Sequence, residues 1–284
     1  MKHFICTLLF IFTFYNVLSQ DLLPFRLDSL WGYRDKQGAV HIQPQFQYAS
    51  KFMNNIAIVV KGNKSGAIDR KNTLIIPFRY EFLQPLDESE FLFGYRARYF
   101  GEYYMGVMTK DEKIKIPAEY RSISKQHDTY RVTKNTDSVM IKSPDGDVRS
   151  VKTFHGLSDI NGKVLIPCRF SYISWINDSL LVVSKDESQA LFNKKGEQLT
   201  SFDYMVFGDF IEGLAKARIG NKFGFVFPTG KLAIPVIFDY CEDFSNGHAL
   251  IRQDNKWGAI NKKGEVIIEP KRSYEEVKAQ LKEK

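Results

Sequence analysis

The sequence is poor in the residues from which compact reactive centres are built. Its 284 residues include 3 cysteines and 5 histidines. Three cysteines do not make a disulfide scaffold or a Cys-rich zinc site, and five scattered histidines leave little for a multi-histidine metal centre. Cys168 and Cys241 fall far apart and are expected as two separate buried thiols. Patterns of the GxSxG, HExxH, CxxC and P-loop kinds are missing. Beyond residue 20 no apolar run approaches the roughly 18 residues that a membrane-spanning helix needs. The net charge is only +7, and Lys-Lys pairs are confined to the turn-like positions Lys194-Lys195 and Lys262-Lys263. A clustered basic stripe with interleaved aromatics, which nucleic-acid binding requires, is therefore lacking. These absences predict a protein without a cofactor, a metal or a nucleic-acid partner, and not an enzyme.

The first stretch is read as a signal peptide covering residues 1–19. Lys2 supplies a positive start, Phe4 to Tyr15 an apolar run of leader length, and Val17 and Ser19 the small-residue positions before a cut at Gln20. Removing that leader takes away Lys2 alone and leaves a charge of +6. The expected product is exported, periplasmic or extracellular, with no stable membrane insertion after cleavage.

The dominant feature of the rest is repetition. WGYRDKQGAVHIQP at Trp31, FGFVFPTGKLAIP at Phe223 and WGAINKKGEVIIEP at Trp257 share one pattern. Aligned on their small anchor residue, seven copies follow one another at Gly32, Gly66, Gly106, Gly156, Ala190, Gly224 and Gly258. The intervals are 34, 40, 50, 34, 34 and 34 residues. Six residues past the anchor stand Gly38, Asn72, Glu112, Gly162, Gly196, Gly230 and Gly264, mostly residues that accept positive φ cheaply, which marks a tight turn. Proline follows at 44, 77, 117, 167, 235 and 270, with Ser201 the exception. Aromatic residues recur at Phe46, Tyr80, Tyr120, Phe170, Tyr204 and Phe238. Small or apolar ones recur at Ala57, Phe91, Leu181, Ala215 and Ala249, with Arg131 out of pattern, and these in-phase sites should line a shared core.

Each copy reads as short antiparallel strands separated by turn residues. The anchor glycine should allow close backbone approach, covered by the large residue before it. Proline should end the third strand because it has no N–H for the ladder, with the following aromatic packing under the next copy. One such sheet cannot bury its own apolar face, and stacking of neighbours can. His155 stands where other copies have Trp or Phe and is expected to pack.

The matching text WGYRDKQG, FGFVFPTGKLAIPVIFDYCEDFSNGHALI and WGAINKKGEVIIEP resembles the WG-repeat family of exported and cell-envelope bacterial proteins. The resemblance covers about residues 22–272 and is weakest in the third and fifth copies; in the fifth, Ala190 and Ser201 replace the usual Gly and Pro. It implies an all-β repeat scaffold with no shared catalytic motif. The expected domains are the leader, a β-repeat domain over 20–272 and a short helix over 273–284, where Tyr274, Val277 and Leu281 follow a helical period. Two arrangements are open: a propeller-like ring of seven blades, or an open β-solenoid. Closure would use the strand around Leu23–Phe25, left over at the start, to complete the final hairpin.

Two insertions interrupt the spacing. The first, in FLFGYRARYFGEYYMG, should lengthen a hairpin whose tip carries Arg96, Arg98, Tyr99 and Phe100, a composition suited to recognition. Phe91, Phe93 and Tyr95 would lie on its buried face. The second contains Asp145-Gly146-Asp147, read as a plain turn because the ligands of a calcium loop are missing. The function expected is a non-enzymatic scaffold binding a protein or an envelope ligand. The alternative is a propeller-type hydrolase of carbohydrate, which would need two of the acids in Asp87-Glu88, Asp186-Glu187 or Glu242-Asp243 to converge.

Overall fold

A computed structural model describes residues 21–97, 102–135, 139–142, 146 and 148–282. The leader, Arg98, Tyr99, Phe100, Asp145 and Asp147 lie outside the described residues. Most of the described residues are in strands. The first sheet is β1 (Leu23–Leu27), β2 (Leu30–Arg34) and β3 (Val40–Phe46). The second is β4 (Tyr48–Ala49), β5 (Ile56–Lys61), β6 (Lys64–Asp69) and β7 (Leu74–Tyr80), and the third β8 (Phe82–Pro85), β9 (Glu90–Arg96), β10 (Tyr103–Thr109) and β11 (Ile114–Tyr120). In the fourth, β12 (Ser122–Gln126) and β13 (Thr129–Asn135) precede a separate hairpin of β14 (Val139–Ile141) and β15 (Val148–Ser150), after which β16 (Thr153–Asp159) and β17 (Val164–Phe170) complete the sheet. The fifth has β18 (Tyr172–Asn177), β19 (Leu180–Lys185) and β20 (Ser188–Asn193). The sixth has β21 (Val206–Ile211), β22 (Leu214–Ile219), β23 (Lys222–Val226) and β24 (Leu232–Phe238). The seventh has β25 (Tyr240–Cys241), β26 (His248–Gln253), β27 (Lys256–Asn261) and β28 (Val266–Arg272), followed by helix α1 (Tyr274–Lys282). The all-β class and its seven tandem modules are therefore as expected. Two compact units divide the chain: residues up to Phe93 with Lys110–Glu112, and Gly94–Thr109 with Lys113 onward.

One register runs through the modules. The residue before the anchor pairs fifteen places on: Trp31 with Phe46, Ser65 with Tyr80, Met105 with Tyr120, His155 with Phe170, Phe223 with Phe238 and Trp257 with Arg272. The residue after the anchor pairs nine places on, always with isoleucine: Ile42, Ile76, Ile116, Ile166, Ile234 and Ile268. All six are buried, each contributing about 2 kcal/mol of burial. Between the two pairings the third strand bulges toward the anchor. A Cβ at Gly32 would lie 2.4 Å from Ile42 O, and one at Gly258 2.4 Å from Ile268 O. Only glycine fits there.

The bulge corrects one expectation. Proline does not end the third strand; β3, β7, β11, β17, β24 and β28 run through it. Pro44, Pro77, Pro117, Pro167, Pro235 and Pro270 sit in the shifted segment, where no ladder N–H is demanded. A second correction concerns the ends. Strand β1 pairs with β2 from Leu23↔Arg34 to Leu27↔Leu30, so it belongs to the first sheet, and the seventh sheet has four strands of its own from residues 240–272. Most sheets also carry a short outer strand just after the in-phase aromatic, beside the three strands of the repeat.

The cores lie between consecutive sheets. In the first unit Phe46 packs with Ala49, Ala57, Val59 and Ile68 of the next sheet. In the second unit Phe238 joins Phe225 and Ile234 to Cys241, Ala249, Ile251 and Ile260. The in-phase sites Ala57, Phe91, Leu181, Ala215 and Ala249 are all fully buried. Cys241 is buried as expected, whereas Cys168 is only partly so; its thiol donates to Phe154 O at 3.0 Å. Burial pushes the Cys241 thiol up to about 12.

Candidate functional site

The fifth module breaks the rule, and the reason is local. Ala190 carries the Cβ that the close approach forbids, and Thr200 replaces the paired isoleucine. The outer bridges survive, Gln189↔Tyr204 and Phe192↔Gln198. Between them a side chain takes over: the Leu191 N–H donates to Thr200 Oγ1 at 2.9 Å. Residues 198–204 consequently form no continuous strand.

Two cavities open where this irregular module meets the fourth one, and both are bordered by Leu165. One, of about 510 Å³, is bordered by Phe170, Phe192 and Phe202 with Arg169 and Lys185. Phe170 and Phe202 are stacked at 5.7 Å and 13°. The larger, of about 710 Å³, is formed by four turns. The β12–β13 turn brings His127, Asp128 and Thr129, and the β16–β17 turn brings Asp159, Lys163 and Leu165. Trp175 and Asp178 come from the end of β18, and Lys194, Lys195 and Glu197 from the turn after β20.

Each turn is fixed by its own hydrogen bonds. Asp159 Oδ1 accepts from the N–H groups of Asn161 and Lys163 at 2.9 and 2.8 Å, and Asn193 Oδ1 from Lys195 and Glu197 at 3.0 Å each. His127 sits at φ 52, with its ring 4.8 Å from that of Trp175 at 65° and Nδ1 3.7 Å from Asp178 Oδ1. The other side of Trp175 rests on the core of Leu157, Ile173 and Leu181. The result is a rigid indole in a concave, charged setting.

The sequence offered signals for this site that went unread. Trp31 and Trp257 stand immediately before the anchor; Trp175 does not, and a third tryptophan out of phase calls for another role. The Asp or Asn three places past the anchor (Asp35, Asp69, Asp159, Asn193, Asn261) recurs as visibly as the turn glycine, and in every case its Oδ1 accepts two backbone N–H bonds.

Of the residues proposed from sequence, Arg96 is the exposed last residue of β9, while Arg98, Tyr99 and Phe100 lie outside the described residues. Phe91 and Phe93 are buried, but Tyr95 is exposed, not buried. The adjacent acids do not gather. Asp87 Oδ1 accepts from Ser89 N, Ser89 Oγ and Glu90 N. Asp186 forms the β19–β20 turn at φ 53. Glu242 accepts from Tyr274 OH at 2.9 Å, while Asp243 pairs with Lys216 at 3.4 Å. No group of three or more His, Cys, Asp or Glu side chains able to hold a metal occurs among the described residues. No helix among them is long and apolar enough to cross a membrane.

Comparison with known proteins agrees with the module. The family described as "WG containing repeat" matches at residues 31–64, 66–93, 156–187, 191–223, 223–257 and 257–271. Among curated proteins none matches the chain. Similar solved structures include a eukaryotic initiation factor, 12% identical over 88% of this chain and 86% of that one, with a TM-score of 0.28. Another is PorZ of Porphyromonas gingivalis, described as an essential bacterial surface component of the type-IX secretion system; it is 10% identical over 89% of this chain and 37% of that one, also with a TM-score of 0.28. A putative gluconolactonase gives 10%, 78%, 87% and 0.25 on the same measures. Superpositions this loose carry no argument about activity or partners.

Proposed function

The chain belongs to the WG-repeat family, and on that premise we propose that it is an exported, non-enzymatic scaffold that binds a protein or cell-surface ligand. The observation that carries this reading is the cavity of about 710 Å³ beside Trp175, set where the repeat departs from its own rule. A concave site built on rigid turns, with an indole and a few convergent polar groups, has the form of a ligand pocket. The carboxylates lining it are poorly placed for hydrolysis. A general acid needs a carboxyl kept protonated by burial, but Asp178 is 91% exposed and Asp159 is engaged by two amides. Asp128 and Glu197 are exposed as well. The hydrolase alternative therefore gains no support from the described residues.

The test is to express the full chain with a C-terminal tag, sequence the N-terminus of the exported form, and use that form to capture ligands from cell-envelope extract. Processing before Gln20, with capture that Trp175→Ala abolishes, is the expected outcome. Retention of the intact leader in the cytoplasm, or capture indifferent to Trp175, would contradict it.

A further inference from the structure

We propose that the Trp175 cavity takes a neutral oligosaccharide, with one sugar ring lying against the indole. This inference rests on the binding-scaffold reading and adds the class of ligand.

The module does not require an aromatic residue at this phase. Nineteen places past the other anchors stand Lys51, Pro85, Lys125, Asp209, Asp243 and Val277. Trp175 nevertheless lines the cavity, backed by the core and held by its backbone pairing with Leu181. A large flat apolar surface, immobilised before binding, costs little further ordering when a ligand settles on it.

The charges around it select among ligands. Four carboxylates and three ammonium groups line the cavity, in near balance and drawn from separate turns. A polyanion would meet Asp128, Asp178 and Glu197; a polycation would meet Lys163 and Lys195. A sugar hydroxyl both donates and accepts, so it can donate a hydrogen bond to a carboxylate while accepting one from an ammonium. Hydrogen bonds with one ionised partner are the stronger kind. The C–H face of a pyranose supplies the apolar patch that the indole needs. A neutral saccharide thus satisfies both halves of the site, whereas a fully apolar ligand would leave the charged groups without partners.

The probes are neutral gluco-, manno-, xylo- and chito-oligosaccharides, titrated calorimetrically into the protein from Gln20 onward, with polygalacturonate and polylysine as charged controls. The expected result is saturable binding of at least one neutral series. Affinity for that series should fall at least tenfold in Trp175→Ala and be largely retained in Trp175→Tyr, and both charged controls should bind more weakly than it does. Asp178→Ala, at a side chain 91% exposed, should weaken binding without disturbing the fold and serves where Trp175→Ala does not fold. No neutral saccharide bound, or binding unaffected by either variant, overturns the proposal. If saccharides fail while Trp175→Ala still abolishes capture of an envelope protein, the scaffold reading stands and the saccharide assignment falls. Release of new reducing ends during titration would overturn the non-enzymatic reading instead.

Discussion

Six places past each anchor the backbone passes through positive φ in all seven modules, at 94, 65, 60, 87, 81, 79 and 81°. Glycine or asparagine accepts this in six of them. Glu112 is the exception, and its side chain explains why it stays: the carboxylate takes hydrogen bonds from Arg79 and from Tyr80 OH, the latter at 2.8 Å. The Arg79 guanidinium holds the Glu112 carboxyl below its usual range, and burial pushes the Tyr80 phenol up to about 12. His155 shows the opposite case. It occupies the Trp phase against Tyr172, 5.5 Å away, and its buried Nδ1 has no hydrogen-bond partner. Burial first, and the Arg131 charge second, hold its pKa below the ordinary 6.5. The folded imidazole therefore stays neutral while the unfolded one protonates. Its contribution is complete above about pH 6.5 and is lost as pH falls from there toward the folded value. Replacing His155 with Phe, the residue at this phase in the sixth module, should flatten the dependence of the urea midpoint on pH between 7.5 and 5. An unchanged slope would show that His155 is not a source of it.

At the scale of elements, the terminal helix is the clearest case of local signals agreeing with packing. Ser273 and Glu276 form a reciprocal cap: Ser273 N and Oγ both donate to Glu276 Oε2 at 2.8 Å, and Glu276 N donates back to Ser273 Oγ at 3.4 Å. The apolar period of Tyr274, Val277 and Leu281 was legible, and those residues do pack on Leu250, Ala259 and Ile268. What went unread is that Tyr274 continues an aromatic ladder. Phe223, Tyr240, Trp257 and Tyr274 recur every 17 residues and touch edge to face, at 5.7, 5.9 and 4.9 Å. The helix thus gives the seventh sheet the aromatic contact that Tyr240 of β25 gives the sixth. Val277→Ala should cost about 2 kcal/mol, and ending the chain after Arg272 should cost more, both read as lower thermal midpoints. A truncated chain as stable as the full one would mean that the last sheet needs no cap. Proline shows where the local signal failed. Its missing N–H argues against strand, but the bulge beside the anchor removes the demand for that N–H, and a bulge is created by the partner strand, which composition does not reveal.

For the whole molecule, repetition made most of the fold legible. Anchor, turn residue and in-phase aromatics located the strands, the turns and the buried sites, because each module solves the same packing problem with the same residues. The site was far less legible. His127, Lys163, Trp175 and Lys195 converge from four turns spread over about seventy residues, and only the stacking of modules brings them together. The fifth module was recognisable as degraded, since Ala190 and Ser201 stand out, but the consequence, an interrupted strand with two cavities beside it, depends on backbone approach in space. One glycine-dependent register, repeated along the chain, defines the protein and, among the described residues, is relaxed only there. Urea unfolding of a matched alanine series at Gly32, Gly66, Gly156, Gly224 and Gly258, with Ala190→Gly beside it, tests this most directly. The five alanine variants should each lose about 2–3 kcal/mol, and Ala190→Gly should change stability by well under half of that. Silent alanines at several anchors, or a loss at Ala190→Gly as large as theirs, would contradict it.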